Sequence, residues 1–294
     1  MTVESGMRVA DGWQEYELLD ATEGFRLERW GKAVLQRPDP QVLWGAEKKA
    51  AAWQKVDAVY HRSEKGGGAW EYHKKLPERW SIAYRDLTLL VSPTGFKHTG
   101  IFPEQAVNWD AYARWIAAAK RPVKVLNLFG YTGGATLACL AAGASVTHVD
   151  ASKGMVAWAR ENAVASGFAD RPVRWLVDDC AKFVAREQRR GGRYDAIIMD
   201  PPSYGRGPGG EVWKLEEAIW PLLEQTTEVL ADDPLFFAVN SYTTGLAPAA
   251  MGYMLQLLLP PRFGGAVHSG EIGLPVRATG GVLPCGATAL WAAG

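Results

Sequence analysis

VKVLNLFGYTGGATLACLAAGASVTHVD occupies residues 123–150. It opens on an apolar run of strand length and turns through Gly130, Gly133 and Gly134. GGATLACLAAGA then reads as a helix of small residues that can pack closely on a sheet, and SVTHVD as a second strand ending at Asp150. A strand, a glycine turn, a helix and a second strand form a parallel unit, because the connection is too long for a hairpin.

The rhythm continues downstream. SKGMVAWARENAVASG predicts a helix with Ser152 as N-cap and Gly167 as its stop. VRWLVDD predicts a strand, AKFVAREQRRGG a helix with a basic last turn, and YDAIIMD a further strand. VWKLEEAIWPLLEQTTEVL reads as a helix, LFFAVNSY as a strand and APAAMGYMLQLLL as a helix, before two terminal runs, GAVHSGEIGL and GVLPCGATALWA. Alternation of this kind implies a mostly parallel sheet with helices on both faces.

The first hundred residues differ. They mix aromatic and β-branched residues with turn signals such as RPDP, EKGGG and SPTG. GAEKKAAAWQKV (Gly45–Val56) is the one clear helix candidate there. The expected organisation is a small β-rich α+β domain over residues 1–97, followed by an α/β domain over 98–294. The N-terminal tryptophans Trp13, Trp30, Trp44, Trp53, Trp70 and Trp80 read mainly as core residues.

Composition excludes several classes. The 294 residues are 48% hydrophobic and 22% charged with zero formal net charge, as in ordinary globular proteins. No apolar run reaches membrane-spanning length and the N-terminus lacks a signal-peptide layout, so a cytoplasmic protein with no membrane partner is expected. Cys139, Cys180 and Cys285 stand far apart and the five histidines are scattered, which predicts neither disulfide framework nor metal site. The zero net charge hides an asymmetry. Residues 24–121 carry 17 Lys and Arg against 10 Asp and Glu, a surplus that suits a nucleic-acid-facing module as well as an unevenly charged surface.

In an open α/β sheet the ligand sits at the carboxyl ends of the strands. Here those ends are Asn127–Gly134, Asp150, Asp178 with Asp179, and Asp200. The first loop is neither a dinucleotide fingerprint, which would need glycines at Thr132 and Ala135, nor a P-loop, because no G-K-[ST] follows. A nucleoside without a pyrophosphate fits better. Asp150 can accept both ribose hydroxyls, and Asp179 can accept from an adenine amino group.

VLNLFGYTGG, VDASKGMVAWARENA, VDDCAKFV and YDAIIMDPPSYG together resemble the class I S-adenosylmethionine-dependent methyltransferases, and among them the bacterial 23S rRNA methyltransferase group. FKHTGIFPEQAVNW (Phe96–Trp109) is similar to the T-G-x-x-x-[D/E]-Q segment of that group. The resemblance implies a Rossmann-like methyltransferase fold with a mostly parallel seven-stranded sheet, and S-adenosyl-L-methionine as cofactor. It implies that Asn127, Phe129, Gly130, Tyr131, Thr132 and Gly133 wrap the methionine and ribose, with Asp150, Ala151 and Ser152 at the ribose. It further implies that Asp179 and the Cys180 amide read the adenine, while Thr99, Gly100 and Gln105 close over the methionine end. Asn127 stands where most class I enzymes carry an acid.

The D-P-P corner, Asp200, Pro201 and Pro202, falls where the activated methyl would point, and a rigid proline pair fixes carbonyls there without ladder hydrogen bonds. Tyr204 is the candidate stacking aromatic, displaced by Ser203 from the D-P-P-Y spacing of base-nitrogen methylases. Carbon methylation of cytosine needs a cysteine nucleophile, and neither DPPSYG nor NSYTTGL carries one. The expected reaction is methylation of RNA, at a base heteroatom in large-subunit ribosomal RNA. A small-molecule or protein methyltransferase, and a non-catalytic RNA-binding or assembly protein, remain as alternatives. The glycine-rich segment Gly205–Glu217 is expected to be a flap, with Arg206 and Lys214 available for phosphate.

Overall fold

The computed structural model describes residues 4–63, 67–95, 97–207, 209–210 and 212–294. Phe96 of the T-G segment, and Pro208 and Glu211 of the expected flap, lie outside the described residues. The chain divides into two compact units. The larger comprises the N-terminal segment ending at Arg8, Asn108–Ile272 and Gly286–Gly294; the smaller comprises Val9–Val107 and Gly273–Cys285.

The main sheet contains β1 (Lys124–Leu128), β2 (Ser145–Asp150), β3 (Val173–Val177), β4 (Ala196–Met199), β5 (Phe236–Ser241), β6 (Ala266–Pro275) and β7 (Val282–Ala292). Their order is β3-β2-β1-β4-β5-β7-β6, with the first five parallel and β7 antiparallel to β5. This is the arrangement implied by the resemblance. Two short strands, Glu4–Ser5 and Arg8–Val9, also pair with β6 and bring the sheet to nine strands.

The longer helices are α1 (Ala106–Ala119), α2 (Gly134–Ala141), α3 (Lys153–Ala165), α4 (Cys180–Arg189), α5 (Leu215–Thr227) and α6 (Pro248–Leu258). The small-residue sequence of α2 has a steric reason: a Cβ on Gly134 would overlap the Trp109 indole. Ser152 caps α3 by accepting from the Met155 N–H, and Gly167 follows it at φ +74°. Leu126, Leu128, Ile197, Phe237 and Trp291 are fully buried in the core around β1, β4, β5 and β7. Each such side chain contributes about 1.5–3 kcal/mol relative to exposure.

The smaller unit is β-rich, as expected. Tyr16–Thr22, Phe25–Trp30, Ala33–Pro38, Ala58–Arg62 and Gly68–Tyr72 form one sheet in sequence order, antiparallel except between the third and fourth strands. Trp80–Tyr84 and Leu87–Val91 form a separate hairpin. Gly273–Cys285 belongs to this unit because Arg277 and Ala278 donate their N–H groups to the Leu18 and Leu19 carbonyls. Of the six tryptophans, Trp30 is fully buried while Trp44 is exposed.

The helix expected over Gly45–Val56 is absent; only a single 3-10 turn forms, at Ala51–Gln54. Tertiary hydrogen bonds compete with the local propensity. The Asp20 carboxylate accepts from the Lys49 and Ala50 N–H groups and from Trp53 Nε1, Thr22 Oγ1 accepts from the Ala46 N–H, and Trp44 Nε1 donates to the Ala21 carbonyl. These bonds hold the segment against the strand Tyr16–Thr22. Buried charge is paired here as well. Arg37 forks onto Glu28 at 2.6 and 2.7 Å, Tyr16 donates to Glu28 at 2.8 Å, and Arg26 pairs with Asp39.

Candidate functional site

The loop after β1 turns through sparsely populated backbone conformations. Phe129 and Tyr131 take left-handed φ values of 55° and 50°, and Gly133 has φ 88°. For a residue with a Cβ this costs roughly 1–3 kcal/mol, so the surrounding contacts must hold it. They are all present. The Phe129 N–H donates to Cys180 Sγ at 3.3 Å, the Gly130 N–H to the Val149 carbonyl at 3.0 Å and the Tyr131 N–H to Asp150 Oδ2 at 2.9 Å. The Asn162 amide holds the Thr132 carbonyl at 2.8 Å.

Beneath this loop runs a buried chain that sequence reasoning missed. Asn127 Nδ2 donates to Thr136 Oγ1 at 2.8 Å, and Thr136 Oγ1 lies 2.9 Å from His148 Nδ1. His148 is fully buried, packs on Trp175, and has no partner for Nε2 among the described residues. Desolvation lowers its pKa to about 3, so the ring is neutral at pH 7. The only sequence signal was an isolated histidine two positions before the strand-ending acid.

Asp150 closes β2. Its Oδ2 takes the Tyr131 N–H, and its Oδ1 the Ser152 N–H at 2.8 Å across Ala151, which leaves further lone pairs on both oxygens. Burial raises its pKa, and the two N–H groups oppose that shift by favouring the anion. After β3, Asp178 pairs with Arg186, and Asp179 caps α4 by accepting from the Lys182 N–H at 2.9 Å. Cys180 is the first residue of α4, so its N–H belongs to the helix end that lacks an intrahelical acceptor.

The D-P-P corner follows β4, with Pro201 buried and Pro202 exposed. Three bonds brace it: Trp213 Nε1 donates to the Pro202 carbonyl at 2.6 Å, Ser203 Oγ lies 2.6 Å from Thr243 Oγ1 after β5, and the Leu215 N–H donates to the Ser203 carbonyl at 3.0 Å. Tyr204 is 55% exposed. It opens a short antiparallel hairpin, Tyr204–Arg206 with Val212–Lys214. The expected flap therefore holds a hairpin, and the helix expected from Val212 starts only at Leu215. Lys214 pairs with Glu217 at 2.8 Å, while Arg206 is exposed. Trp213 was hidden within the predicted helix.

Asn127, the loop Phe129–Gly133, Asp150–Ser152, Asp179 and Cys180 thus share the carboxyl edge of β1–β3, and Asp200–Tyr204 follow β4 beside them. Thr99, Gly100 and Gln105 belong to the smaller unit. Within it Thr99 is buried with Oγ1 unpartnered among the described residues, Gly100 has φ 96°, and Gln105 ends the 3-10 turn that begins at Pro103.

A family model for S-adenosylmethionine-dependent methyltransferases matches residues 34–236. The chain belongs to this family. Among solved structures, the methyltransferase resembles the SAM-dependent methyltransferase from Agrobacterium tumefaciens at 36% identity. The TM-score is 0.93, over 99% of this chain and 96% of that one. A Streptococcus mutans protein shares the fold at 18% identity and TM-score 0.71, over 96% and 76% of the two chains. Among curated proteins, the methyltransferase is 30% identical over 142 residues to the ribosomal RNA large subunit methyltransferase K/L of Vibrio cholerae. That match covers 48% of this chain and 19% of the relative. The Shewanella baltica protein of the same name is 33% identical over 114 residues, 38% of this chain and 15% of that one. The methyltransferase thus matches less than a fifth of the length of these curated relatives.

Proposed function

We propose that this methyltransferase acts on RNA, at a base heteroatom of large-subunit ribosomal RNA, in the cytoplasm. The observation that carries the heteroatom reading is the state of the cysteines. Cys139, Cys180 and Cys285 are all buried, and desolvation raises each thiol pKa, which disfavours the thiolate that carbon methylation of cytosine requires. Support for RNA comes from the names of the curated relatives and from the basic surplus of residues 24–121. The buried set Arg26, Arg37, Glu28 and Asp39 is neutral as a group, so the surplus lies with the remaining residues. On this reading the β-rich unit has the substrate-recognition role expected for residues 1–97.

The residues at the strand ends suit the cofactor chemically. Asp150 keeps carboxylate lone pairs for the two ribose hydroxyls while backbone N–H groups fix its orientation. The loop Phe129–Gly133 turns through left-handed backbone at Phe129, Tyr131 and Gly133, Asn127 stands at its base, and Asp179 with the Cys180 N–H offers an acceptor and a donor for adenine. When bound, S-adenosylmethionine supplies an electrophilic methyl on a sulfonium centre. The protein's task is then alignment and water exclusion. Asp200 and the carbonyls of the D-P-P corner are assigned to the target side, where the Pro202 carbonyl already accepts once from Trp213 Nε1. Tyr204 stacks on the target base.

The test is tritium transfer from methyl-labelled S-adenosylmethionine into a cell extract separated into RNA, protein and small molecules, with Asp200→Ala in parallel. Label in large ribosomal RNA that the variant loses is the expected result. Label in protein or metabolites, or cofactor binding with no transfer, would overturn it.

A further inference from the structure

Trp213 stands where three parts of the candidate site meet. Its ring lies 5.2 Å from the Phe129 ring at an interplanar angle of 55°. Its Nε1 donates to the Pro202 carbonyl at 2.6 Å. Its backbone pairs with Gly205 in the hairpin that Tyr204 opens. One side chain therefore touches the loop after β1 and the D-P-P corner, and anchors the element that carries the exposed aromatic.

Two physical facts give this contact consequences. The hairpin has three residues in each strand, and a two-stranded ribbon of that length has little stability of its own. Its order depends on the anchors at its base: the Trp213–Pro202 bond and the Phe129–Trp213 ring contact, with the Leu215–Ser203 backbone bond and the Ser203–Thr243 contact beside them. Phe129, for its part, is a non-glycine residue at φ 55°, held on the other side by its N–H bond to Cys180 Sγ. A ligand that immobilises residues 129–133 also immobilises the Phe129 ring, and so favours the Trp213 contact. By reciprocity, an ordered hairpin favours that ligand by the same factor.

We infer that Trp213 is a positioning residue that transmits cofactor occupancy of the Phe129 loop to the Tyr204 hairpin and the D-P-P corner. Cofactor binding then favours target binding, because the cofactor loop and the aromatic platform share this one contact. The inference rests on assigning Phe129 to the cofactor loop.

The test uses the full chain, S-adenosylhomocysteine as probe, and no target RNA. Two quantities are read: the probe's affinity by calorimetry, and the rate of tryptic cleavage after the exposed Arg206 with and without saturating probe. In the wild type the probe slows cleavage at Arg206. Trp213→Leu abolishes that protection and weakens probe binding by about threefold to tenfold, the scale of one aromatic pair. Trp213→Phe keeps a ring against Phe129 but loses the bond to the Pro202 carbonyl, and restores part of the protection. Phe129→Leu weakens binding to the same degree, and the double variant is no weaker than the worse single one, as expected for two residues acting through one contact. Protection and affinity unchanged in Trp213→Leu, with the wild type binding the probe normally, would overturn the inference and leave the cofactor assignment intact. Failure of the wild type to bind the probe would overturn the cofactor assignment itself.

Discussion

The imidazole of His148 fills the space beside Gly130 where a side chain would begin. A Cβ at residue 130 would stand 2.5 Å from Nδ1 and 2.9 Å from Nε2 of that ring, which is fully buried. Gly130→Ala is therefore expected to displace the ring, break its contact with Thr136 and destabilise the protein by about 1–3 kcal/mol. Denaturant unfolding measures this. A variant as stable as the wild type would show that the ring is free to move.

His148 also predicts a pH dependence. Its folded pKa of about 3 lies below the ordinary 6.5, so between those values the unfolded chain binds the extra proton. The stability is complete above pH 6.5 and falls as the pH drops through the window, by up to roughly 1.4 kcal/mol per pH unit. His98, lowered to about 4 by burial and then by neighbouring Arg37, adds a second such slope. His148→Gln should lose one proton's share of the slope between pH 6.5 and 5 and retain the rest. Parallel slopes for variant and wild type would contradict the assignment.

Asp150 holds the Tyr131 and Ser152 N–H groups and is assigned to the ribose. Asp150→Ala is expected to weaken S-adenosylhomocysteine binding by roughly 1–3 kcal/mol, about fivefold to 150-fold. Because burial raises the Asp150 pKa, affinity in the wild type should decline on acidification from above the usual carboxylate range, as the acceptor becomes protonated. Calorimetric titrations across pH check both statements.

With all three thiols buried, iodoacetamide should leave the native enzyme's transfer activity intact, and Cys139→Ala and Cys285→Ala should retain it too. Rapid inactivation with alkylation of one cysteine would reinstate a thiolate mechanism. Tyr204 carries the opposite expectation. Tyr204→Ala should lower kcat/KM on RNA by the worth of one base stack, about 1–3 kcal/mol, and Tyr204→Phe should restore it.

The placement of the candidate residues at strand ends and helix caps was legible because its signals are local. Polar residues at four successive strand ends, Ser152 as a cap and Gly167 as a stop all act within one turn of their own chain, so periodicity and capping chemistry reveal them. The Gly45–Val56 segment shows where such reading fails. Its helical composition is overridden by Asp20, about thirty residues away, whose carboxylate binds two backbone N–H groups and the Trp53 indole. The start of α5 moved for a related reason: Val212–Lys214 pairs with Tyr204–Arg206, a partner that helical periodicity does not register.

The alternation of strands and helices, the glycine loop and the acids that follow β2, β3 and β4 followed from residue order alone, since each depends on neighbours along the chain. The placement of His148 beneath Gly130, the paired charges around Glu28, and the meeting of Phe129 with Trp213 were decided only by the folded chain. They join residues 9 to 84 positions apart, and contacts over such separations are selected by packing and by the cost of unpaired buried polar groups, which no local pattern encodes.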